Sequence, residues 1–180
     1  MSASTAALAR VGQSLWLDNI TRGMLDDGTL ARYIRDLHVT GLTSNPSIYN
    51  AAVKTTSFYD EALADLGSRE LAAEEAFFSI AIDDLARAAD LFRPVHDRTG
   101  GIDGWVSLEV SPRLAYDTAA TLSQAKALHA RAGRPNLFIK IPGTPEGLPA
   151  IEEAIFAGVP VNVTLLFTCA QYLAAAEAYL

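Results

Sequence analysis

Short apolar runs alternate with longer Ala-rich stretches along this chain. Five runs are rich in Val, Ile, Leu and Phe, a composition typical of strands buried on both faces of a sheet. These predicted strands cover residues 14–20, 39–47, 104–112, 136–143 and 159–167. The stretches between them carry Glu, Arg and Lys at helical spacing. The pattern therefore predicts a strand followed by a helix, repeated along the chain.

Local signals mark several helix boundaries. The stretches with helical spacing are 59–92, 117–131, 146–157 and 168–180. Thr144, Pro145 and Glu146 supply a capping side chain, a first-turn proline and an early acid, which are typical of a helix start. Gly158 then ends that helix. The region 59–92 lies between the second and third strands, so we interpret it as an insertion or an extended crossover.

The alternation predicts an α/β fold with a parallel sheet. Long helices between short buried strands imply right-handed crossovers, which occur in open doubly wound sheets and in (β/α) barrels. No linker-like tract interrupts the pattern, so we expect residues 1–180 to form a single domain. An eight-stranded barrel takes about 250 residues. Five strands would leave an unpaired edge on each side, and the last helical stretch has no Gly or Pro stop signal. We therefore expect either an open sheet or part of a longer protein.

Composition and charge narrow the function classes. The chain is 50% hydrophobic, and 14 basic against 21 acidic residues give a net charge of −7. An acidic surface repels nucleic acid and anionic membranes, and no apolar run approaches the ~20 residues of a membrane helix. The first residues do not resemble a signal peptide, and the lone Cys169 cannot form an internal disulfide. We therefore expect a cytoplasmic protein with neither nucleic acid nor membrane as a partner.

Lys140 is the most unusual residue of the predicted strands. In the run LFIKIP it shares a face with Phe138 and Pro142, while the other face carries aliphatic side chains. Burial disfavours the charged form of an amine, which is how a lysine becomes nucleophilic enough to condense with a carbonyl. Two alternatives remain open at this point. The lysine could reach water from an edge strand, or it could be buried and paired with a carboxylate.

Polar residues near the carboxyl ends of the other strands favour the functional interpretation. They are Asp18, Thr43, Asn45, Glu109, Asn162 and Thr164. One buried polar residue is usually a satisfied structural group, but a polar residue at a similar depth on every strand suggests a common site. The carboxyl ends of the strands are where active sites lie in parallel barrels. A structural polar network is the alternative.

These side chains fit one chemistry. A lysine that attacks a ketone needs a proton relay to dehydrate the carbinolamine, and Glu109 with Thr164 could supply it through a water molecule. Cleavage of the adjacent carbon–carbon bond needs a base for a hydroxyl proton, which Asp18 could provide. Asn45 and Asn162 can hydrogen-bond hydroxyl groups without adding charge. The set predicts a Schiff-base aldol site.

At these residues the sequence resembles transaldolases, specifically the bacterial form with long N-terminal helices. Two segments carry specific family signatures: GLTSNPSIY, and the Schiff-base lysine segment LFIKIPGTPEG. Three further segments follow the family's order and approximate spacing: SLWLDNI, SLEVSPRLAYDT and VNVTLLF. The resemblance covers nearly the whole chain from Leu15 onward. It implies a TIM barrel of the (β/α)8 type, of which these residues are the N-terminal part.

The resemblance also implies roles for individual residues. These are imine formation by Lys140, proton transfer by Asp18, retention of the catalytic water by Glu109 and Thr164, and binding of the dihydroxyacetone moiety by Asn45 and Asn162, with Thr43 beside them at the substrate. The implied reaction transfers a three-carbon ketol unit between sugar phosphates of the pentose phosphate pathway. The pairs are sedoheptulose 7-phosphate with glyceraldehyde 3-phosphate, and fructose 6-phosphate with erythrose 4-phosphate. It uses no metal and no organic cofactor, and the three histidines are too far apart in the sequence to indicate a metal site.

In the resembled family, strands after the fifth bring a serine near the substrate and arginines to its phosphate. We therefore expect these 180 residues alone to be nearly inactive, and activity to need a longer chain or an assembly that completes the barrel. A sugar-phosphate aldolase of the same superfamily, which releases dihydroxyacetone, is a close alternative. Some such relatives have a tyrosine where transaldolases have the glutamate, so Glu109 favours transfer. A non-catalytic or truncated copy is the alternative from another class.

Overall fold

A computed structural model describes residues 3–180. The strands are β1 (Leu15–Leu17), β2 (Val39–Thr43), β3 (Trp105–Glu109), β4 (Leu137–Pro142) and β5 (Val161–Thr164). The helices are α1 (Ala3–Arg10), α2 (Arg22–Asp26), α3 (Thr29–Leu37), α4 (Pro46–Thr55), α5 (Asp60–Ser68), α6 (Ala73–Arg98), α7 (Thr118–Ala132), α8 (Gly147–Phe156) and α9 (Cys169–Tyr179). A short 3₁₀ turn, Pro112–Leu114, follows β3.

The strands follow one another in chain order across the sheet, β1-β2-β3-β4-β5. Strands β1 and β2 pair in parallel with Leu17 opposite Leu42, and β4 and β5 pair in parallel with Lys140 opposite Asn162. A doubly wound sheet reverses its order after the first strands, whereas a (β/α) barrel adds each strand beside the last. The consecutive order therefore confirms the predicted class, the N-terminal β/α units of a TIM-barrel type of fold.

All five predicted strands are present, each within its predicted range and shorter than it. The fifth ends at Thr164 rather than at residue 167, and this part of the prediction was wrong. Leu165 adopts a left-handed conformation with φ of 62°, which an extended strand does not tolerate. The apolar residues that directly follow Thr164 therefore belong to a loop.

The predicted helical region 59–92 is two helices rather than one. Helix α5 ends at Ser68, and α6 begins at Ala73 and extends to Arg98. Glu70, between them, has a φ of 54° in the left-handed region, and such a residue interrupts a right-handed helix. The break was not predicted, although Gly67 lies in the last turn of α5, because Glu70 itself is an ordinary helix-forming residue.

Contacts within the chain define two compact units. The first comprises residues up to Val106 together with Arg134–Asn136. Its centre is α6, which packs against α2, α3, α5 and β2 and buries Leu85, Ala88 and Phe92 completely. The buried Asn136 donates from Nδ2 to the carbonyls of Ala89 and Gly104, at 2.9 and 2.8 Å, and so joins its short segment to this unit.

The second unit comprises residues Ser107–Gly133 and Leu137–Leu180. Helix α8 packs against both α7 and α9, and β4 pairs with β5. One face of β4 carries Leu137, Ile139 and Ile141, each with 0% exposure. This confirms the alternation predicted for the run LFIKIP, in which the aliphatic residues point away from Lys140.

Within residues 3–180, no helix combines the length and the apolar character that crossing a membrane requires.

The contact between Asp90 and Arg134 in the first unit predicts a pH dependence of stability. Arg134 donates from Nε and Nη2 to the two carboxylate oxygens of Asp90, at 2.6 and 2.9 Å, and these hydrogen bonds lower the pKa of Asp90. The folded chain thus binds this proton less tightly than the unfolded chain. The stabilisation is present above the unfolded pKa of about 4 and is lost as pH falls through the lower folded value.

We therefore expect Asp90→Asn to lower the free energy of unfolding at pH 7 by at most about 1 kcal/mol, because both side chains are partly exposed. The difference from the wild-type protein should shrink as pH falls below about 4. Urea unfolding at several pH values measures it. A difference that grows on acidification would contradict the assignment of this ion pair.

Candidate active site

The residues singled out from the sequence lie at or near the carboxyl ends of the strands. Thr43, Glu109 and Thr164 are the last residues of β2, β3 and β5, and Asp18 directly follows β1. In proteins built from parallel β/α units, these strand ends carry the active-site side chains. Four of the predicted residues belong to the second unit and three to the first, so each group is described in turn.

In the second unit, Lys140 lies against Glu109. The lysine Nζ is 3.3 Å from the carboxylate Oε2, and the two side chains are only 8% and 24% exposed. This geometry matches the alternative in which a buried lysine is paired with a carboxylate. It also suits catalysis, because an ammonium must lose a proton before it attacks a carbonyl and Glu109 is close enough to accept that proton.

Asn162 lies beside Lys140 on the neighbouring strand, where the two residues face each other in register. Its Nδ2 donates to Oγ of Ser107 at 3.1 Å, and Ser107 is fully buried. This hydrogen bond sets the orientation of the amide. Ser107 was not singled out from the sequence, although the two-residue alternation placed it on the face of Glu109. Thr164 follows Asn162 two positions later on the same face.

In the first unit, the structure brings Asp18 and Asn45 together. Asn45 directly precedes α4, and its Nδ2 donates to Oδ1 of Asp18 at 3.1 Å. The carboxylate is exposed and Asn45 is half-buried. Asp18 therefore remains in contact with solvent while a neutral donor orients it. Thr43 is also half-buried, two residues before Asn45 at the end of β2.

Sequence analysis missed a buried polar cluster directly beyond Asp18. Arg22, the first residue of α2, donates from Nε to Oδ1 of Asp84 at 2.8 Å and from Nη2 to Asp83 at 2.8 Å. Its backbone N–H donates to Oη of Tyr59 at 2.8 Å, and that hydroxyl donates to Oδ2 of Asp84 at 3.0 Å. Arg22 and Asp84 are 62 residues apart, so no local motif reveals this cluster.

Burial controls the ionisation of this cluster. Asp84 is completely inaccessible to solvent, and burial raises its pKa although Arg22 opposes the shift. Burial likewise raises the pKa of Tyr59 to about 12. The cluster is therefore a network of satisfied donors and acceptors.

Metal-ligating side chains do not assemble in the described part of the chain. Across residues 3–180, no three or more His, Cys, Asp or Glu residues come together in a geometry that could hold a metal ion.

The consecutive parallel strands and their helices place the chain in the class of β/α-barrel proteins, with a nearly buried lysine–carboxylate pair at the carboxyl ends of the strands. The sequence model of the Transaldolase/Fructose-6-phosphate aldolase family matches residues 15–179. The chain belongs to this family.

Named relatives agree with this assignment. The chain is 48% identical over 175 residues to the transaldolase of Thiobacillus denitrificans, covering 97% of this chain and 49% of that protein. It is 49% identical over 173 residues to transaldolase 1 of Streptomyces avermitilis, covering 96% and 46%. It is 47% identical over 180 residues to the transaldolase of Thermobifida fusca, covering 100% and 49%. The chain thus spans about half the length of the curated relatives it matches.

The lysine–carboxylate pair predicts an asymmetric effect of substitutions on stability. Glu109→Gln removes the charge that faces Lys140, and we expect it to lower the free energy of unfolding by about 1–3 kcal/mol. The double variant Glu109→Gln/Lys140→Met removes both charges. It should recover most of the loss, because replacing a whole buried pair is often neutral or stabilising. Urea unfolding at pH 7 measures both. Equal stability of the single variant and the wild-type protein would show that the two charges are not coupled.

Proposed function

We propose that this chain takes part in a transaldolase reaction, in which a dihydroxyacetone unit passes between sugar phosphates through a Schiff base on Lys140. One observation carries the proposal. The amine lies almost buried, 3.3 Å from the carboxylate of Glu109, in a chain that belongs to the Transaldolase/Fructose-6-phosphate aldolase family. The relatives compared above are named transaldolases, and residues 15–179 match the family model.

Imine formation is the first proposed step. Glu109 accepts a proton from the ammonium of Lys140, and the free amine attacks the ketone carbon of fructose 6-phosphate. The carbinolamine then loses its oxygen as water, with Glu109 and Thr164 relaying the proton through a bound water molecule. The contact between Lys140 and Glu109 supports this step because the proton donor and acceptor are already adjacent.

Carbon–carbon cleavage is the second step. Asp18 accepts the proton of the hydroxyl on the carbon beyond the bond that breaks. The bonding electrons pass to the iminium nitrogen, an aldehyde leaves, and a three-carbon enamine remains on Lys140. The enamine then attacks the aldehyde carbon of an acceptor such as erythrose 4-phosphate. Asp18 returns its proton to the new hydroxyl, and hydrolysis of the imine frees the lysine.

Neutral polar residues bind the three-carbon unit in this proposal. Asn45 and Asn162 hydrogen-bond its hydroxyl groups, with Thr43 beside them. The amide of Asn162 is oriented by Ser107 and that of Asn45 by its contact with Asp18. Amides suit this task because they donate and accept hydrogen bonds without altering the charge near the imine.

A fructose-6-phosphate aldolase, named in the same family description, is the second candidate. It shares the imine chemistry but releases dihydroxyacetone. Glu109 favours transfer, because some aldolases of this kind have a tyrosine at the corresponding position. Formation of sedoheptulose 7-phosphate from fructose 6-phosphate and erythrose 4-phosphate, without free dihydroxyacetone, distinguishes a transaldolase. For the proposed transaldolase, we propose the pentose phosphate pathway as the pathway and the cytoplasm as the location.

We also propose that activity needs polypeptide beyond these strands, as a longer chain or an assembly. Strand β5 stands last in the sheet order and none of its residues is buried. Apolar side chains after it are exposed, including Phe167 at 81%, Tyr172 at 63% and Leu173 at 60%. Exposed apolar surface of this kind favours coverage by further protein.

Turnover by the 180-residue protein tests this requirement. We expect purified protein to convert fructose 6-phosphate and erythrose 4-phosphate at a negligible rate, because none of the residues given a role in the proposed reaction binds the phosphate group of the substrate. A coupled assay for glyceraldehyde 3-phosphate measures the rate. A polypeptide that extends the same residues should restore turnover, whereas a normal rate from the 180 residues alone would refute the requirement.

Borohydride reduction tests the imine in an extended polypeptide that completes the sheet. Reduction in the presence of fructose 6-phosphate should fix a three-carbon adduct on Lys140, identified by peptide mass spectrometry. Lys140→Arg should give no adduct, because a guanidinium does not form the imine. Lys126→Arg, which changes an exposed lysine on α7, is the matched control and should label normally. No adduct in the wild-type polypeptide, or the same adduct in Lys140→Arg, would remove Lys140 from the mechanism.

A further inference from the structure

Contacts elsewhere in the first unit hold the two chain segments that carry Asp18 and Asn45. Asp18 is exposed, and Asn45 holds its carboxylate through one hydrogen bond of 3.1 Å. A side chain held in this way needs a backbone that does not shift. The two segments that carry these residues both lead to Tyr59, whose ring and hydroxyl are fully buried.

The first connection runs from Asp18 to Tyr59 through the start of α2. Ile20 is completely buried, and Thr21 caps α2 by accepting the N–H of Met24. Arg22 then donates its backbone N–H to Oη of Tyr59 at 2.8 Å. The segment that follows Asp18 is thereby held both by a buried side chain and by a backbone hydrogen bond.

The second connection runs from Asn45 to Tyr59 through α4. Asn45 is the residue before this helix, so its position follows that of the first turn. Tyr49 in the helix contacts the ring of Tyr59 edge-on, with centroids 6.5 Å apart, and contacts Phe77 of α6 at 5.7 Å. Edge-to-face contacts between aromatic rings are favourable, so they hold α4 against Tyr59 and α6.

Asp84 fixes the hydroxyl of Tyr59. That hydroxyl has one proton, and it donates it to Oδ2 of Asp84 while accepting from the backbone of Arg22. The other oxygen of Asp84 accepts from Nε of Arg22, whose guanidinium lies over the Tyr59 ring at 5.2 Å. Removing one member of such a network leaves buried donors or acceptors unpaired, so its geometry is rigid.

We infer that Tyr59 and Asp84 are positioning residues that hold Asp18 and Asn45 in hydrogen-bonding distance of each other. Both act through Arg22 and the backbone that follows Asp18, and Tyr59 also acts through Tyr49 in the helix that follows Asn45. The catalytic relevance of this support rests on the proposed function, whereas the support itself can be measured without any turnover.

The side-chain amide of Asn45 reports on the pair. In ¹⁵N-labelled wild-type protein, its two N–H signals should shift as the Asp18 carboxyl titrates, because one N–H faces that group. Asp18→Asn should abolish this shift and so identify it. Tyr59→Phe removes only the hydroxyl, and Asp84→Asn removes only the charge. We expect each to reduce the amplitude of the shift at least about twofold, because the two segments separate.

Two control variants match these substitutions. Tyr116→Phe changes a tyrosine that is 78% exposed. Asp83→Asn removes the 60% exposed partner of the same Arg22, and an exposed ion pair contributes little. Both should keep the full wild-type shift. If Tyr59→Phe is folded by circular dichroism and also keeps the full shift, the inference is overturned, whatever the stability of Asp84→Asn.

The result separates this inference from the proposed function. In an active, extended polypeptide, Tyr59→Phe should still give a borohydride adduct on Lys140, because imine formation precedes the step that uses Asp18, while turnover falls about 10- to 100-fold. A wild-type protein that shows the Asn45 titration but forms no imine would refute the function and leave the support intact. Normal turnover and normal titration in both variants would refute the support alone.

Discussion

The contact between Lys140 and Glu109 is the interaction on which the site depends. An ammonium taken out of water costs several kcal/mol unless a partner compensates it, and an aliphatic residue would fill the same place on β4 without that cost. The neighbouring residues Ile139 and Ile141, on the opposite face of the strand, are completely buried. A buried charged pair contributes little net stability compared with aliphatic residues of similar size, and activity commonly opposes stability at functional sites.

The polar residues of the chain fall into two physically different kinds. Asp18 is exposed and accepts a hydrogen bond from Asn45, so its carboxylate remains accessible to solvent. Asp84 is buried, and both of its oxygens accept hydrogen bonds. The first arrangement suits a group that must change its protonation state, and the second suits a group that must not move. The difference lies in burial and hydrogen-bond saturation, not in residue type.

The sequence predicted the fold where burial imposes a strong pattern. All five strands were located from apolar runs, and the alternation in β4 correctly separated Lys140 from the aliphatic face. Prediction failed at Glu70 and Leu165, whose left-handed backbone is not favoured by their residue types. Such positions are set by the packing of the elements on either side, so local composition carries no sign of them.

For the site, spacing along single strands indicated Lys140, Glu109 and Asn162 as candidates because the two-residue period shows which side chains share a face. The motifs around these residues also indicated the family that residues 15–179 match.

Which groups pair was decided only by the tertiary structure. The hydrogen bonds from Asn162 to Ser107 and from Arg22 to Asp84 join residues 55 and 62 positions apart. The pattern of hydrophobic and polar residues within a strand or helix indicates which of its faces is buried, but it does not indicate which distant element packs against that face. The sequence by itself therefore determined the elements, their buried faces and the chemistry available. The folded chain decided which carboxylate faces the lysine and which buried residues hold the aspartate in place.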